Sequence, residues 1–418
     1  MNSALAVLVA LALAIFLIIK KVSPVYSLIL GAIVGGLLSG WGLTRTVSEM
    51  IVGVKDITPA IVRILAAGVL TGMLVITGAA SRISKSIVKG LGDRNIFLAL
   101  ALATMILTAI GVFIDVAVIT MAPIALLSGE RQGLSKSKLL FAMIGGGKCG
   151  NIISPNPNTI SAAENFGASL SSVMAAGIIP AIIGLLITVY VILPLMPKSL
   201  AMKTEGRAAE TAGDESLPSL AGSLAGPLLA IILLALRPIF GITIDPVVAL
   251  PAGGLLGLVT TGSLKKTKES LSYGLSKMSV VATLLVGTGT LAGIIKASSI
   301  KDLFISALSG WSSGATLMAP VSGALMSAAT ASTTAGATVA SASFASTILA
   351  AGVSAVWAAA MTNAGATVLD HLPHGSFFHA TGGSVEMDVK DRLKLIPFEC
   401  ATGLVLTIAV TVAYYITL

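Results

Sequence analysis

Two cysteines, 5% aromatic residues and 11% charged residues limit what a chain of 418 residues can be. Soluble proteins carry about 25% charged residues, so a soluble globular body is excluded. Cys149 and Cys400 lie in or near apolar runs, which argues against a disulfide framework. GxxxxGK[ST] does not occur and GGGKCG is no substitute for it, so ATP-driven transport within this chain is not indicated. HExxH is absent, and no metal or other cofactor is expected. No polar stretch is long enough for a soluble domain. The longest, Pro197 to Pro218, reads as a linker. No basic region precedes the apolar run that starts at Ala4, so this run reads as a first span and not as a signal peptide.

What remains is apolar: 55% of the chain, with 44 glycines. Runs of roughly 17 to 25 apolar residues, long enough to cross about 30 Å of hydrocarbon, recur from end to end. The fold class is an all-α polytopic membrane protein in contact with lipid. Candidate crossings are Ala4–Ile19, Pro24–Gly40, Pro59–Ala80, Leu139–Asn165, Leu170–Leu195, Ser219–Leu236, Pro246–Gly262, Met278–Ile295, Ile348–Gly383 and Pro397–Leu418. Ile96–Leu127 and Leu303–Ala345 could each be a kinked helix, two crossings or a re-entrant hairpin.

The net charge of +8 fits Lys and Arg concentrated on cytoplasmic loops better than a nucleic-acid partner. With both termini outside and both ambiguous stretches re-entrant, inside loops hold 19 of 26 basic residues and outside loops hold 6. Lys148 alone falls within a span. Pairs of full crossings would give the same parity.

A shift of about 218 residues lays the first span on Ser219–Leu236 and the second on Pro246–Gly262. A similar shift lays SPNPNT (154–159) on HLPHGS (371–376). The chain then divides into residues 1–196, a cytoplasmic linker at 197–218, and residues 219–418. Each half has five crossings plus a re-entrant hairpin. The odd number makes the halves inverted repeats, with broken helices at the midplane, a pattern typical of secondary transporters.

Four stretches can carry chemistry. In GGGKCGNIISPNPNTISAAENF, Pro155 and Pro157 stop a helix. Irregular backbone at that depth must be buried in protein or line a wet cavity. Ser154, Asn156, Asn158 and Thr159 offer amides and hydroxyls to an anion or polyol. The counterpart, NAGATVLDHLPHGSFFHATGG, holds Asp370 and all three histidines, His371, His374 and His379. Histidine titrates nearest physiological pH, so this cluster suits a proton relay or a carboxylate partner. The proposed hairpin tips supply Asp115, a carboxylate in an apolar run, and the hydroxyls of Thr330, Ser332, Thr333 and Thr334. Lys148 could attract an anion or pair with Asp115, and the glycines before it point to flexible backbone.

GGGKCGNIISPNPNTISAAENF and LPHGSFFHATGGSV together resemble the two signature regions of the gluconate permease (GntP) family, within the ion transporter superfamily. The resemblance covers most of the chain. It implies an inner-membrane proton symporter for gluconate or a related hydroxy acid, with D-serine handled by some members. It further implies an elevator, in which a mobile transport domain slides against a dimeric scaffold. By position it implies binding elements at Asn151 to Thr159 and at Asp370 to His379, including Gly375 and Ser376, with the tips near Asp115 and Thr333. The expectation is a homodimeric, multi-pass bacterial inner-membrane symporter of a small anion. Lys148 and backbone amides would meet the carboxylate, Asn156, Asn158 and Ser376 the hydroxyls. Asp115, or Asp370 with His371 and His379, would carry the proton. Sodium coupling, an intramembrane enzyme built on Asp370, His371 and His374, and a passive channel are the alternatives.

Overall fold

The computed structural model describes residues 3–92, 95–197, 217–299, 314–373 and 375–417. Most of the linker, residues 300–313 with the start of the second ambiguous stretch at 303–313, and His374 lie outside the described residues. The described chain is helical and contains no strand. Four helical segments are long and apolar enough to span a membrane: Leu43–Ile76, Leu170–Leu195, Leu264–Ala297 and Val389–Thr417. Ser3–Ile19, Pro24–Leu38, Ile96–Ala109, Leu220–Leu236 and Pro246–Thr260 are shorter apolar helices.

The first half begins with α1 (Ser3–Ile19), α2 (Pro24–Leu38) and α3 (Leu43–Ile76). An amphipathic α4 (Ala79–Leu91) follows, then α5 (Ile96–Ala109) and α6 (Ile114–Gln132), which form a helical hairpin. α7 (Lys136–Asn151) and α8 (Pro157–Asn165) are one helix broken at SPN. α9 (Leu170–Ile187) runs through a π-helical turn at Thr188–Ile192 into the single turn α10 (Leu193–Leu195). The second half repeats the succession. It has α11 (Leu220–Phe240), α12 (Pro246–Thr260) and the long α13 (Thr267–Ala297). The hairpin α14 (Gly314–Thr330) and α15 (Thr333–Ala350) comes next, then the broken pair α16 (Ala355–Gly365) and α17 (Ser376–Ser384). The short α18 (Val389–Leu393) precedes α19 (Ile396–Thr417).

Two boundaries differ from the sequence reading. The crossing assigned to begin at Pro59 begins at Leu43, and Pro59 lies inside α3. The crossing assigned to begin at Met278 begins at Thr267. In both cases polar residues on the first turns hid the start, although the helix continues through them. α3 and α13 lie along each other with backbone in contact. A Cβ on Gly68 would come within 3.0 Å of the Gly274 backbone, and one on Gly53 would collide with Gly289 and Gly293. Glycines four apart, Gly68 with Gly72 and Gly289 with Gly293, permit this approach.

The outer surface is apolar, and the charged side chains in the bundle lie buried within an otherwise apolar core. Ile178, Ile179, Ile182 and Ile183 of α9 are exposed, as are Leu404, Ile408 and Val412 of α19. Lys148, Asp370, His371, Arg392 and Glu399 are buried. Lipid as the outer solvent accounts for that arrangement.

Candidate functional site

The first break is short and sewn mainly by one side chain, Asn156. α7 ends at Asn151, whose carbonyl would be an orphan. The Asn156 amide nitrogen donates to it at 3.1 Å and also donates to the Asn151 side-chain oxygen. The Asn156 oxygen accepts from the Thr159 backbone N–H at 3.2 Å, capping α8. Pro157, at the first position of α8, has no N–H to satisfy. Ser154 Oγ is buried with no hydrogen-bond partner among the described residues.

The glycines ahead of Lys148 do not loosen the backbone as expected. α7 is helical through Gly145, Gly146 and Gly147. A Cβ on Gly146 would fall on the Ala101 carbonyl, and one on Gly150 on the Met105 carbonyl. They are there for close packing against α5.

The second break carries charge. Lys148 is fully buried, and its Nζ lies 2.6 Å from Asp370 Oδ1, 2.9 Å from His371 Nδ1 and within bonding reach of the Thr367 carbonyl. Thr367 follows the end of α16, where free carbonyls favour a cation. The other carboxylate oxygen, Asp370 Oδ2, accepts from the Thr333 hydroxyl at the second hairpin tip. His371 Nε2 faces the Ile396 carbonyl at 3.2 Å. Behind it Arg392 forms a two-bond pair with Glu399, whose Oε2 is 3.8 Å from His371 Nδ1. His371 Nδ1 also lies 2.9 Å from Asp370 Oδ1, so it accepts from Lys148 in the tautomer whose Nε2–H donates to the Ile396 carbonyl and donates to Asp370 when it carries a proton itself.

The two breaks are cross-stitched. Lys148, in the last turn of α7, binds the second break, and Asn363, in the last turn of α16, binds the first. Asn158 Nδ2 donates to Asn363 Oδ1 at 2.7 Å, and Asn363 Nδ2 donates to Thr159 Oγ1 at 3.1 Å. At the far end of α8, Glu164 pairs with Arg63 of α3, which also reaches Asp245, the N-cap of α12, at 2.7 Å. Hydrogen bonds from the Arg63 guanidinium hold the Asp245 carboxyl below its ordinary range.

Both hairpin tips and both breaks converge on one cavity of about 300 Å³. Asp115 comes from the first tip, Ala331 to Thr334 from the second, Asn151 from the first break, and Asp370 and Ser376 from the second. Ala331 holds a left-handed φ of 47°, a strained geometry for a residue with a Cβ. Gly375 packs so close that a Cβ would lie 2.5 Å from the Ala331 carbonyl oxygen. α13 closes the remaining wall with Lys277, Val280 and Val281.

Of the residues singled out in sequence, Asp115, Asn151, Ser332, Thr333, Thr334, Asp370 and Ser376 line the cavity. Lys148, Ser154, Asn156, Asn158, Thr159 and His371 lie buried in the scaffolding around it. Lys148 pairs with Asp370 and not with Asp115. Exposed His379 Nε2–H donates to the Pro373 carbonyl of its own loop at 2.8 Å. Sequence reasoning missed Asn363, Thr367, Glu399 and Lys277, and counted buried Arg392 as a loop charge. Glu399 had a signal, since it is a carboxylate at the head of an apolar run like Asp115. Among the described residues no group of His, Cys, Asp and Glu could hold a metal ion.

Comparison with known proteins agrees with this architecture. An uncharacterized transporter of Haemophilus influenzae is 55% identical over 99% of this chain and 98% of its own length. A gluconate permease of Pseudomonas aeruginosa is 24% identical over 68% of each chain. A D-serine transporter of Escherichia coli is 23% identical over 71% of this chain and 72% of its own. The fold is similar to that of the Alcanivorax borkumensis YdaH transporter, with a TM-score of 0.65, 14% identity, and 90% and 88% of the two chains covered. Residues 223–312 match the Na+-H+ antiporter family. Residues 3–252 match the model for GntP family permeases. The relatives are transporters and not enzymes, and the protein is a multi-pass membrane protein that belongs to the GntP permease family.

Proposed function

We propose that the protein is a secondary active symporter that carries a small hydroxylated monocarboxylate, such as gluconate or a related sugar acid, across the bacterial inner membrane. The observation that carries this reading is the single cavity reached by both hairpin tips and both helix breaks. Hydroxyls and an amide dominate its polar lining, which suits a polyol acid. A gluconate permease and a D-serine transporter among the relatives support the same substrate range.

The two successions of helices are inverted repeats, residues 1–196 and 219–418 joined by a cytoplasmic linker, with both termini outside. With Lys277 and Arg392 set aside as residues of the protein interior, the bias is still 17 basic residues to 6 and supports the orientation. The hairpins enter and leave by one side: α5, at 14 residues, extends about 21 Å, short of the hydrocarbon thickness. The hairpins and broken helices form the moving unit of an elevator. α3 and α13, welded at their glycines, belong to a dimeric scaffold.

Asp115 is the coupling carboxylate. It lines the cavity, and among the described residues no cation lies within ion-pair distance of it. Asp370 is engaged by Lys148 and Thr333, so it acts by holding the break and passing charge to His371. The test is uptake of gluconate by proteoliposomes under an inward proton gradient. Accumulation should vanish when a protonophore collapses the gradient, and persistence would refute proton coupling. Asp115→Asn should lose accumulation and keep exchange of internal for external gluconate. If accumulation is unchanged, Asp115 is structural. The antiporter-family match over 223–312 favours sodium as the second reading of the ion. Uptake that follows sodium and ignores pH would decide for it.

A further inference from the structure

A monocarboxylate entering this cavity must find a positive group, and the obvious one is spent. Lys148 has no exposed surface, and its Nζ is engaged by the Thr367 carbonyl and Asp370, with His371 Nδ1 at 2.9 Å. A ligand in the cavity cannot reach an ammonium enclosed in that way. Arg392 is also buried and forms its pair with Glu399. Among the described residues lining the cavity the charges are Asp115, Asp370 and Lys277.

Lys277 is therefore the one cation with a free hand on that wall. It is half-buried on α13. Its Nζ rests 5.6 Å from the centre of the Tyr273 ring, a weak contact that leaves its protons available. No carboxylate among the described residues lies within ion-pair distance of it. Opposite stands the second tip, where Thr334 makes no side-chain hydrogen bond among the described residues. Val281, buried in the same wall, lowers the local polarity beside Lys277, which strengthens a charge-assisted hydrogen bond.

We infer that Lys277 is the specificity-determining residue that receives the substrate carboxylate, with Lys148 confined to holding the second break. The inference rests on the symporter reading above and adds to it the anion contact. It also distributes the binding work. The hydroxyl contacts come from the tips and breaks, and the carboxylate contact comes from α13, a helix joined to α3.

The experiment measures gluconate uptake by proteoliposomes of the full chain, with gluconate and its uncharged amide, gluconamide, as competitors. Lys277→Gln should raise KM by about tenfold or more, the usual effect of losing a charge-assisted hydrogen bond. Maximal rate and accumulation ratio should stay within about twofold, because proton coupling does not pass through Lys277. Lys277→Arg should restore most of the affinity. The wild type should prefer gluconate to gluconamide as a competitor, and Lys277→Gln should lose that preference, which a purely structural role would not cause. An equal thermal midpoint for both variants and wild type establishes that they fold. Unchanged KM and unchanged preference in folded Lys277→Gln would overturn this inference while leaving the symporter reading intact. Wild-type protein that takes up no gluconate would overturn both.

Discussion

The two helix breaks occupy equivalent places in the two halves and are built differently. The first spans five residues, Ile152 to Asn156, and is neutral. Asn156 ties the end of α7 to the start of α8, with a longer contact of 3.5 Å from Thr159 Oγ1 to the Asn151 carbonyl beside it. The second spans ten residues, Ala366 to Gly375, and is charged, with Asp370 and His371 gathered around a lysine from the other half. The first break keeps its ionic contact away from itself, at the far end of α8, where Glu164 meets Arg63. A short gap can be closed by a side chain that both donates and accepts. A longer gap leaves more orphan carbonyls and amides, and stronger bonds are needed to order it. The neutral break sets shape and the charged break holds energy.

The sharpest way to break this contrast is Asp370→Asn. It strands a fully buried ammonium, and removal of one partner from such a pair costs about 3–5 kcal/mol. Folded yield by size-exclusion chromatography should collapse. Adding Lys148→Met should recover most of the yield but not the uptake, since no uncompensated charge then remains. A stable single variant would show that the pair is not what orders the second break.

Asn156→Ala attacks the first break and should cost less. Loss of an N-cap lowers stability by about 1 kcal/mol, and the Asn151 carbonyl keeps only the long 3.5 Å contact from Thr159 Oγ1. The protein should purify folded with a lower thermal midpoint. A loss as large as that of Asp370→Asn would erase the distinction between the breaks.

The smallest effect belongs to the ionic contact beyond α8. Asp245 is bonded by Arg63, and its carboxyl titrates below the ordinary carboxylate range. A depressed pKa stabilises the fold fully above the unfolded value, about 4, and loses that contribution as pH falls through the folded value. The difference in thermal midpoint between wild type and Asp245→Asn should be constant from about pH 5 to 8 and shrink only in acid. A difference that varies near neutrality would mean that another group titrates there.

How far the sequence reveals these features depends on the reach of each signal. SPNPNT is legible because proline and asparagine act on their own backbone. The turn at Gly111 is legible only in part, because the run Ile96–Leu127 reads equally as a kinked helix, two crossings or a hairpin. The starts of α3 and α13 are not, because Pro59 and the charges ahead of Met278 look like breaks and are tolerated in helices. The glycines at 145 to 147 mislead because a glycine serves loose backbone and tight packing equally, and only the neighbour decides. The partner of Lys148 is hidden by distance along the chain, since no local rule selects Asp370 over Asp115. Lys277 is hidden for a related reason: its charge fits a cytoplasmic loop equally well until α13 is seen to extend past it.

The lysine that joins the halves also sets a clock for assembly. Lys148 enters the membrane 222 residues ahead of Asp370. At about 5–20 residues per second of synthesis, roughly 10–40 s separate the two. Throughout that interval α7 carries a cation with none of its final partners, which all lie between Thr367 and His371. The nascent first half therefore cannot settle into its mature packing by itself. Its closing step is the arrival of a peptide made 222 residues later, so a ribosome stalled between the two sites leaves a partial chain with an unburied charge for quality control to find.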